Sequence, residues 1–187
     1  MDPLMKAIVI STYGPPEVLH ITDLPDPAPA RGEVLIRVRA FGLNHAEAYM
    51  RAGAWGEVAA VPGIECAGVI EADPSGRLSP GTPGRGDPRR HGPHPRNGSY
   101  AELVTVAATN VAVVNSSLGW AELAAVPEVY ATAWYGLFGN LGLRPGERVL
   151  VRGATSSLGQ AAVNLAVDHG ARVLATTRNA AHASLRS

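Results

Sequence analysis

The fold turns on one stretch, Glu147-Arg148-Val149-Leu150-Val151-Arg152, then Gly153-Ala154-Thr155-Ser156-Ser157-Leu158-Gly159, then Gln160 to His169, then Arg172-Val173-Leu174-Ala175-Thr176. The first and last runs are short and rich in β-branched and aliphatic residues, which predicts strands. The segment between them carries a helical pattern from 160 to 169. Strand, small-residue turn, helix and strand make one βαβ unit, which places the end of the chain in an α/β fold.

A turn of small residues between strand and helix lets backbone N–H groups approach a pyrophosphate, whose charge the positive end of the helix favours. Ala154, Ser156 and Gly159 stand at the three positions of a G-x-G-x-x-G pattern. Only one of them is glycine, so a plain tight turn competes with a dinucleotide loop. The next discriminating position is the end of the second strand, where an acidic residue would bond the adenosine ribose of NAD. This chain has Thr176-Thr177-Arg178. A guanidinium pairs with a 2′-phosphate and hydroxyls donate to it, which favours NADPH over NADH; the competing reading of Arg178 is a solvated surface charge. The candidate cofactor-binding residues here are Ala154, Thr155, Ser156, Ser157, Leu158, Gly159, Thr177 and Arg178.

Working toward the N-terminus, Pro127 at a first-turn position predicts a helix through Thr132, Trp134 and Leu137. Ser116 or Ser117 is expected to cap another through Trp120 to Val126. Before residue 119 the pattern is of strands: Met5 to Ile10, Val18 to Leu24, Glu33 to Phe41, Ile64 to Glu71 and Tyr100 to Val106, separated by Pro- and Gly-rich turns. In Val34-Leu35-Ile36-Arg37-Val38-Arg39, positions 34, 36 and 38 share one face, the pattern of a half-buried strand. Two domains are expected, 1–118 rich in β structure and 119–187 of α/β type.

Composition narrows the function classes. The 187 residues are 46% hydrophobic, enough for a real core, and 16 basic residues balance 16 acidic ones, so no field favours nucleic acid or an anionic membrane. The apolar run Ala7 to Ile10 is far shorter than a signal-peptide core or a membrane span, and a cytoplasmic location is expected. The single Cys66 excludes an internal disulfide and any multi-cysteine zinc cluster. His45 has no second ligand beside it. His91 and His94 are separated by Gly92-Pro93, which gives no helix to align their rings, so no metal site is expected.

With Met5-Lys6-Ala7, Tyr13-Gly14-Pro15-Pro16-Glu17-Val18-Leu19, Pro29 to Val38, Asn44, Tyr49, Gly63-Ile64-Glu65 and the βαβ unit in view, the chain resembles the medium-chain dehydrogenase/reductase superfamily, in its zinc-independent quinone oxidoreductase branch. The resemblance implies an N-terminal GroES-like catalytic domain followed by an incomplete Rossmann domain, a doubly wound parallel sheet. Zinc-using relatives have Cys at the position of Asn44 and His at that of Ile64. In the branch this chain resembles, the residues matching Asn44 and Tyr49 line the nicotinamide and substrate cleft, and the one matching Thr132 contacts the cofactor. Plainer roles compete: a turn hydrogen bond for Asn44, interface packing for Tyr49, an ordinary helix position for Thr132. Glu65 is read as orienting the cleft and Cys66 as core.

The resemblance implies hydride transfer from NADPH to a quinone or conjugated enone, with the Asn44 amide and the Tyr49 hydroxyl meeting the charge on the substrate oxygen. A catalytically silent nucleotide- or partner-binding module, a zinc-free alcohol dehydrogenase and an enoyl-thioester reductase remain open. Two departures stand out. Ser79 to Ser99 holds five Pro, five Gly, four Arg and two His without one aliphatic or aromatic side chain, so no buried strand is expected there. The stretch reads as the product of compensating frameshifts, an inserted loop or an ordinary solvated one. The family also continues beyond the position of Ser187, with the nicotinamide half of its sheet and its usual dimer edge. The chain alone is therefore expected to have exposed apolar surface and little activity, a homo-oligomer being left open once that sequence is present.

Overall fold

The computed structural model describes residues 3–88, 97–178 and 181. It divides into two compact units, Met1–Pro127 and Glu128–Ser187.

In the first unit β1 (Leu4–Ile10) and β2 (Leu19–Pro25) form an antiparallel hairpin. The main antiparallel sheet contains β3 (Glu33–Phe41), β4 (Cys66–Ala72), β5 (Pro83–Gly86), β6 (Leu103–Ala107) and β7 (Val111–Val113), in the order β6-β3-β4-β5-β7. β1 runs beside the segment leading into β6 through a bridge between Ala7 and Ala101, with Ile8 N–H donating to Tyr100 O at 2.7 Å and Glu102 N–H to Lys6 O at 3.0 Å. Between β3 and β4 lies the short α1 (His45–Arg51), and α2 (Trp120–Ala124) closes the unit.

Two apolar clusters lie on either side of β3. Val34 and Ile36 are fully buried with Cys66, Ile70, Val104 and Val106, while Leu35 packs with Met5, Ala7, Val61, Tyr100 and Leu103. The half-buried reading of β3 is corrected by this arrangement. Positions 34, 36 and 38 do share one face, but Glu33 and Leu35 are buried as well, because β1 and the 61–64 segment cover the second face there, and the strand becomes half-buried only from Arg37 onward, with Arg39 exposed. Arg37 makes a two-pronged ion pair with Glu71 of β4, at 2.8 Å for each bond.

A second correction falls on the stretch without apolar side chains. Pro83-Gly84-Arg85-Gly86 does form a strand, paired to both β4 and β7, and both glycines are buried. The strand needs no apolar side chain because its neighbours fill the space: a Cβ on Gly86 would sit 2.9 Å from Ile36 Cδ1 and 3.1 Å from Val106 Cγ2. His91 and His94 lie outside the described residues. The expected serine cap is also corrected. The N-cap of α2 is Gly119, whose N–H donates to Glu122, and Ser116 Oγ instead accepts from Leu118 N–H.

α3 (Pro127–Trp134) leads into the second unit and continues without a break as a π-helix over Tyr135–Asn140, so the helix expected through Leu137 is present with a widened last part. β8 (Arg148–Arg152), α4 (Ser157–Asp168) and β9 (Arg172–Thr176) follow, with β8 and β9 parallel and in register from Arg148 opposite Arg172. The βαβ unit is therefore present, although its helix starts at Ser157, three residues before the expected 160. α4 covers one face of the strand pair around Val149, Ala166 and Val173. On the other face Leu150 and Leu174 are each 58% exposed.

Candidate functional site

α1 is too short to be set by apolar periodicity. It is set by its N-terminus, where Asn44 is the N-cap and Glu47, the third helical residue, supplies the carboxylate half of a capping box. Glu47 reaches back to accept a hydrogen bond from the Asn44 backbone N–H. Its other oxygen accepts from Ile64 N–H at 3.1 Å, and the nearby Tyr100 hydroxyl favours its ionised form. Burial pushes the Glu47 carboxyl above its ordinary value, against these hydrogen bonds, which favour the ionised form.

The Asn44 amide is engaged as well: Nδ2 donates to Glu65 Oε1 at 2.8 Å. Glu65 is 3% exposed, and its carboxylate lies so close over Gly42 that any Cβ there would overlap it. Behind Glu65, Ser99 Oγ donates to its carbonyl at 2.7 Å, and the backbone N–H groups of Gly98, Ser99 and Tyr100 bond to the carbonyls of Val61, Gly63 and Pro62. Gly63 has φ +108°, and a Cβ on it would sit 2.5 Å from Ser99 Oγ, so the two segments close only around glycine. Burial raises the Tyr100 hydroxyl far above the ordinary phenol range, with the neighbouring Glu47 adding to it.

Asn44 and Tyr49 are both at α1, but in different settings. Asn44 is half-buried against Glu65, while Tyr49 is 55% exposed near the helix end, where its carbonyl accepts from Ala54 N–H at 2.9 Å. Cys66 has the core role expected of it: it is fully buried, its thiol lies 3.6 Å from Gly86 O, and burial pushes it up to about 12. Glu47 escaped the sequence reading. The pattern Asn44-His45-Ala46-Glu47, a capping residue followed three places later by Glu, is the signal that marks both it and α1.

In the second unit the loop 153–159 is tight. Gly159 packs so closely on Gly153 O and Ala154 Cα that only glycine fits, the close approach expected at the third position of the fingerprint. Ser156 caps α4: Oγ accepts from Gly159 N–H at 3.1 Å and donates to Gly153 O at 2.9 Å. Ala154 N–H bonds Thr176 O and Ser156 N–H bonds Gly153 O, both at 3.0 Å. Among the described residues the N–H groups of Gly153, Thr155, Ser157 and Leu158 have no protein partner, and those of Ser157 and Leu158, in the first turn of α4, are open to an anion.

Thr155 and Thr177 bring their hydroxyls to 3.5 Å, and Arg178 follows, exposed. Ala154, Thr155, Thr176 and Thr177 also line a concavity of about 1260 Å³ beside β9 and α4. Thr132 is on the exposed side of α3, donating to Glu128 at 3.3 Å, and is not among the residues lining this concavity. Among the described residues no group of three His, Cys, Asp or Glu side chains could hold a metal ion, and no helix is long and apolar enough to cross a membrane.

Comparison with known proteins adds three findings. Residues 30–116 match the alcohol dehydrogenase GroES-like domain. The quinone oxidoreductase of Mus musculus is 36% identical over 179 residues, covering 92% of this chain and 52% of the mouse protein. Among solved structures, an NAD-dependent alcohol dehydrogenase superposes with a TM-score of 0.82 at 34% identity, covering 94% of this chain and 58% of its own. A mycobacterial protein complexed with NADPH gives 0.81 at 30%, covering 97% and 56%. The chain thus spans about half the length of the curated relatives it matches.

Proposed function

Because the chain belongs to the medium-chain dehydrogenase/reductase superfamily, with quinone oxidoreductases among its relatives, we propose that it is an NADPH-dependent reductase of quinones or conjugated enones. The observation that carries the reading is the turn between β8 and α4. Gly159 admits no side chain, and two helix N–H groups are left open beside Thr155, Thr177 and Arg178.

These residues fit a phosphorylated dinucleotide. Ser157 and Leu158 N–H receive the pyrophosphate at the positive end of α4. Thr177 and Arg178 receive the 2′-phosphate, where no carboxylate stands to repel it. Bound NADPH supplies the hydride. In the first unit, Asn44 keeps one amide N–H on Glu65 and has a second for the substrate oxygen, and the exposed Tyr49 hydroxyl is the other donor. Conjugation spreads the developing charge, so hydrogen-bond donors suffice where an unactivated alcohol would ask for a metal or a tuned base. Asn44 and Ile64, in place of the Cys and His of zinc-using relatives, favour chemistry without zinc. The lone buried thiol suits a reducing, cytoplasmic setting.

A fluorescence titration of the chain with NADPH and NADH tests the cofactor. NADPH is expected to bind more tightly, and Arg178→Ala to weaken it selectively by ~1–3 kcal/mol, the range of a charge-assisted contact. Equal binding of the two nucleotides, or none, refutes the assignment. In a full-length version of this sequence, zinc-dependent alcohol oxidation in place of NADPH consumption with simple quinones and enones would overturn the reaction class.

A further inference from the structure

The arrangement around Asn44 contains more than a capping residue. Residue 44 and the dipeptide Ile64-Glu65 are joined twice, by two buried carboxylates. Glu47 bridges backbone to backbone, from Asn44 N–H to Ile64 N–H, and Glu65 holds the Asn44 side chain at 2.8 Å. Both joints face one segment, because Tyr100 acts electrostatically on Glu47 and Ser99 Oγ donates to the Glu65 carbonyl at 2.7 Å. An amide on an exposed turn rotates freely about its side chain; this one is fixed from two directions. We propose that Glu47, bonded to both Asn44 N–H and Ile64 N–H, is a positioning residue for Asn44, holding the start of α1 so that the amide keeps one N–H on Glu65 and offers the other to the substrate oxygen. The last clause rests on the reductase reading; the mechanical linkage does not.

The test is the Asn44 side-chain NH₂ signal in the ¹⁵N-labelled full chain, assigned by its loss in Asn44→Asp. In the parent chain the proton donated to Glu65 should lie downfield of its position in a solvated asparagine. Glu47→Gln places an NH₂ group where two backbone donors converge, and Tyr100→Phe removes the hydroxyl that favours the ionised carboxylate while keeping the ring that stacks on Phe41 at 4.4 Å. Both variants should shift the Asn44 signal. Val106→Ala, a core truncation outside the linkage, should leave it in place, which separates positioning from general loosening.

Titration sharpens the result. The Asn44 signal should move with a midpoint above the ordinary carboxylate range, since burial opposes ionisation of Glu47. The midpoint should rise further in Tyr100→Phe and the titration should vanish in Glu47→Gln. Glu65 and Tyr100 are the other titratable groups facing this carboxyl, and Tyr100 ionises far outside the range scanned. A titration that persists in Glu47→Gln and disappears in Glu65→Gln, or an Asn44 signal unmoved by both Glu47→Gln and Tyr100→Phe, overturns the proposal. Absence of NADPH binding in the parent chain would overturn the reductase reading while leaving this signal as it is, so the two failures are distinguishable.

Discussion

Gly159 and Asn44 show how differently single residues declare themselves. At Gly159 the chain of inference from sequence is short: a glycine after a strand and a small-residue turn predicts close helix packing, and a Cβ there would overlap the turn backbone. Gly159→Ala is therefore expected to cost ~1–3 kcal/mol, the range for forcing an extra carbon into a packed site. Denaturant unfolding followed by circular dichroism would measure it, and a change within a few tenths would show that the turn yields. Ala154 and Ser156 were equally legible as positions but not as chemistry, because their N–H groups and the Ser156 hydroxyl close the turn on itself. Asn44 was legible as a candidate through resemblance. Its backbone's partner, Glu47, stands three places on and is readable as a capping spacing, but its amide's partner, Glu65, 21 residues away, becomes visible only when the two segments are folded together.

Among the elements, β5 is where sequence and structure diverge most. A strand is normally read from its side chains, and this one has almost none to read. It is held by backbone pairing on both edges while Ile36, Ile70 and Val106 reach into the space above its glycines. The complementarity has a measurable consequence. Gly86→Ala alone should be destabilising, and Ile36→Val alone should cost ~0.5–1.5 kcal/mol as an ordinary loss of a buried methyl group. The second change removes the Cδ1 atom nearest the new Cβ, so the double variant should be less destabilised than the two single effects added together. Simple additivity in denaturant unfolding would show that the contact is relieved elsewhere. β3 teaches the converse: its alternation is clear in the sequence, yet period two reports only that one face is buried, and the second face was covered by β1 from outside its own sheet.

For the molecule as a whole, both strand-rich and βαβ portions were legible because each rests on local periodicity and turn chemistry. What covers each surface was less so. The second unit buries Val149 and Val173 under α4 but leaves Leu150 and Leu174 open on the opposite face. That agrees with the exposed apolar surface expected from the sequence. The two units also have separate cores, so their stabilities are separate quantities, and a single unfolding curve is not guaranteed to describe both.

The position of Cys66 turns this separation into something usable. As the one thiol of the chain, fully buried and held in its protonated form, it is shielded from maleimides and similar alkylating reagents until the first unit opens. Pulse labelling in the presence of denaturant should therefore time the opening of that unit alone, with the second unit silent by composition. Rapid modification under native conditions would reveal local breathing beneath β4 and β5. The protein thus carries an intrinsic chemical stopwatch, with no mutation required to install one.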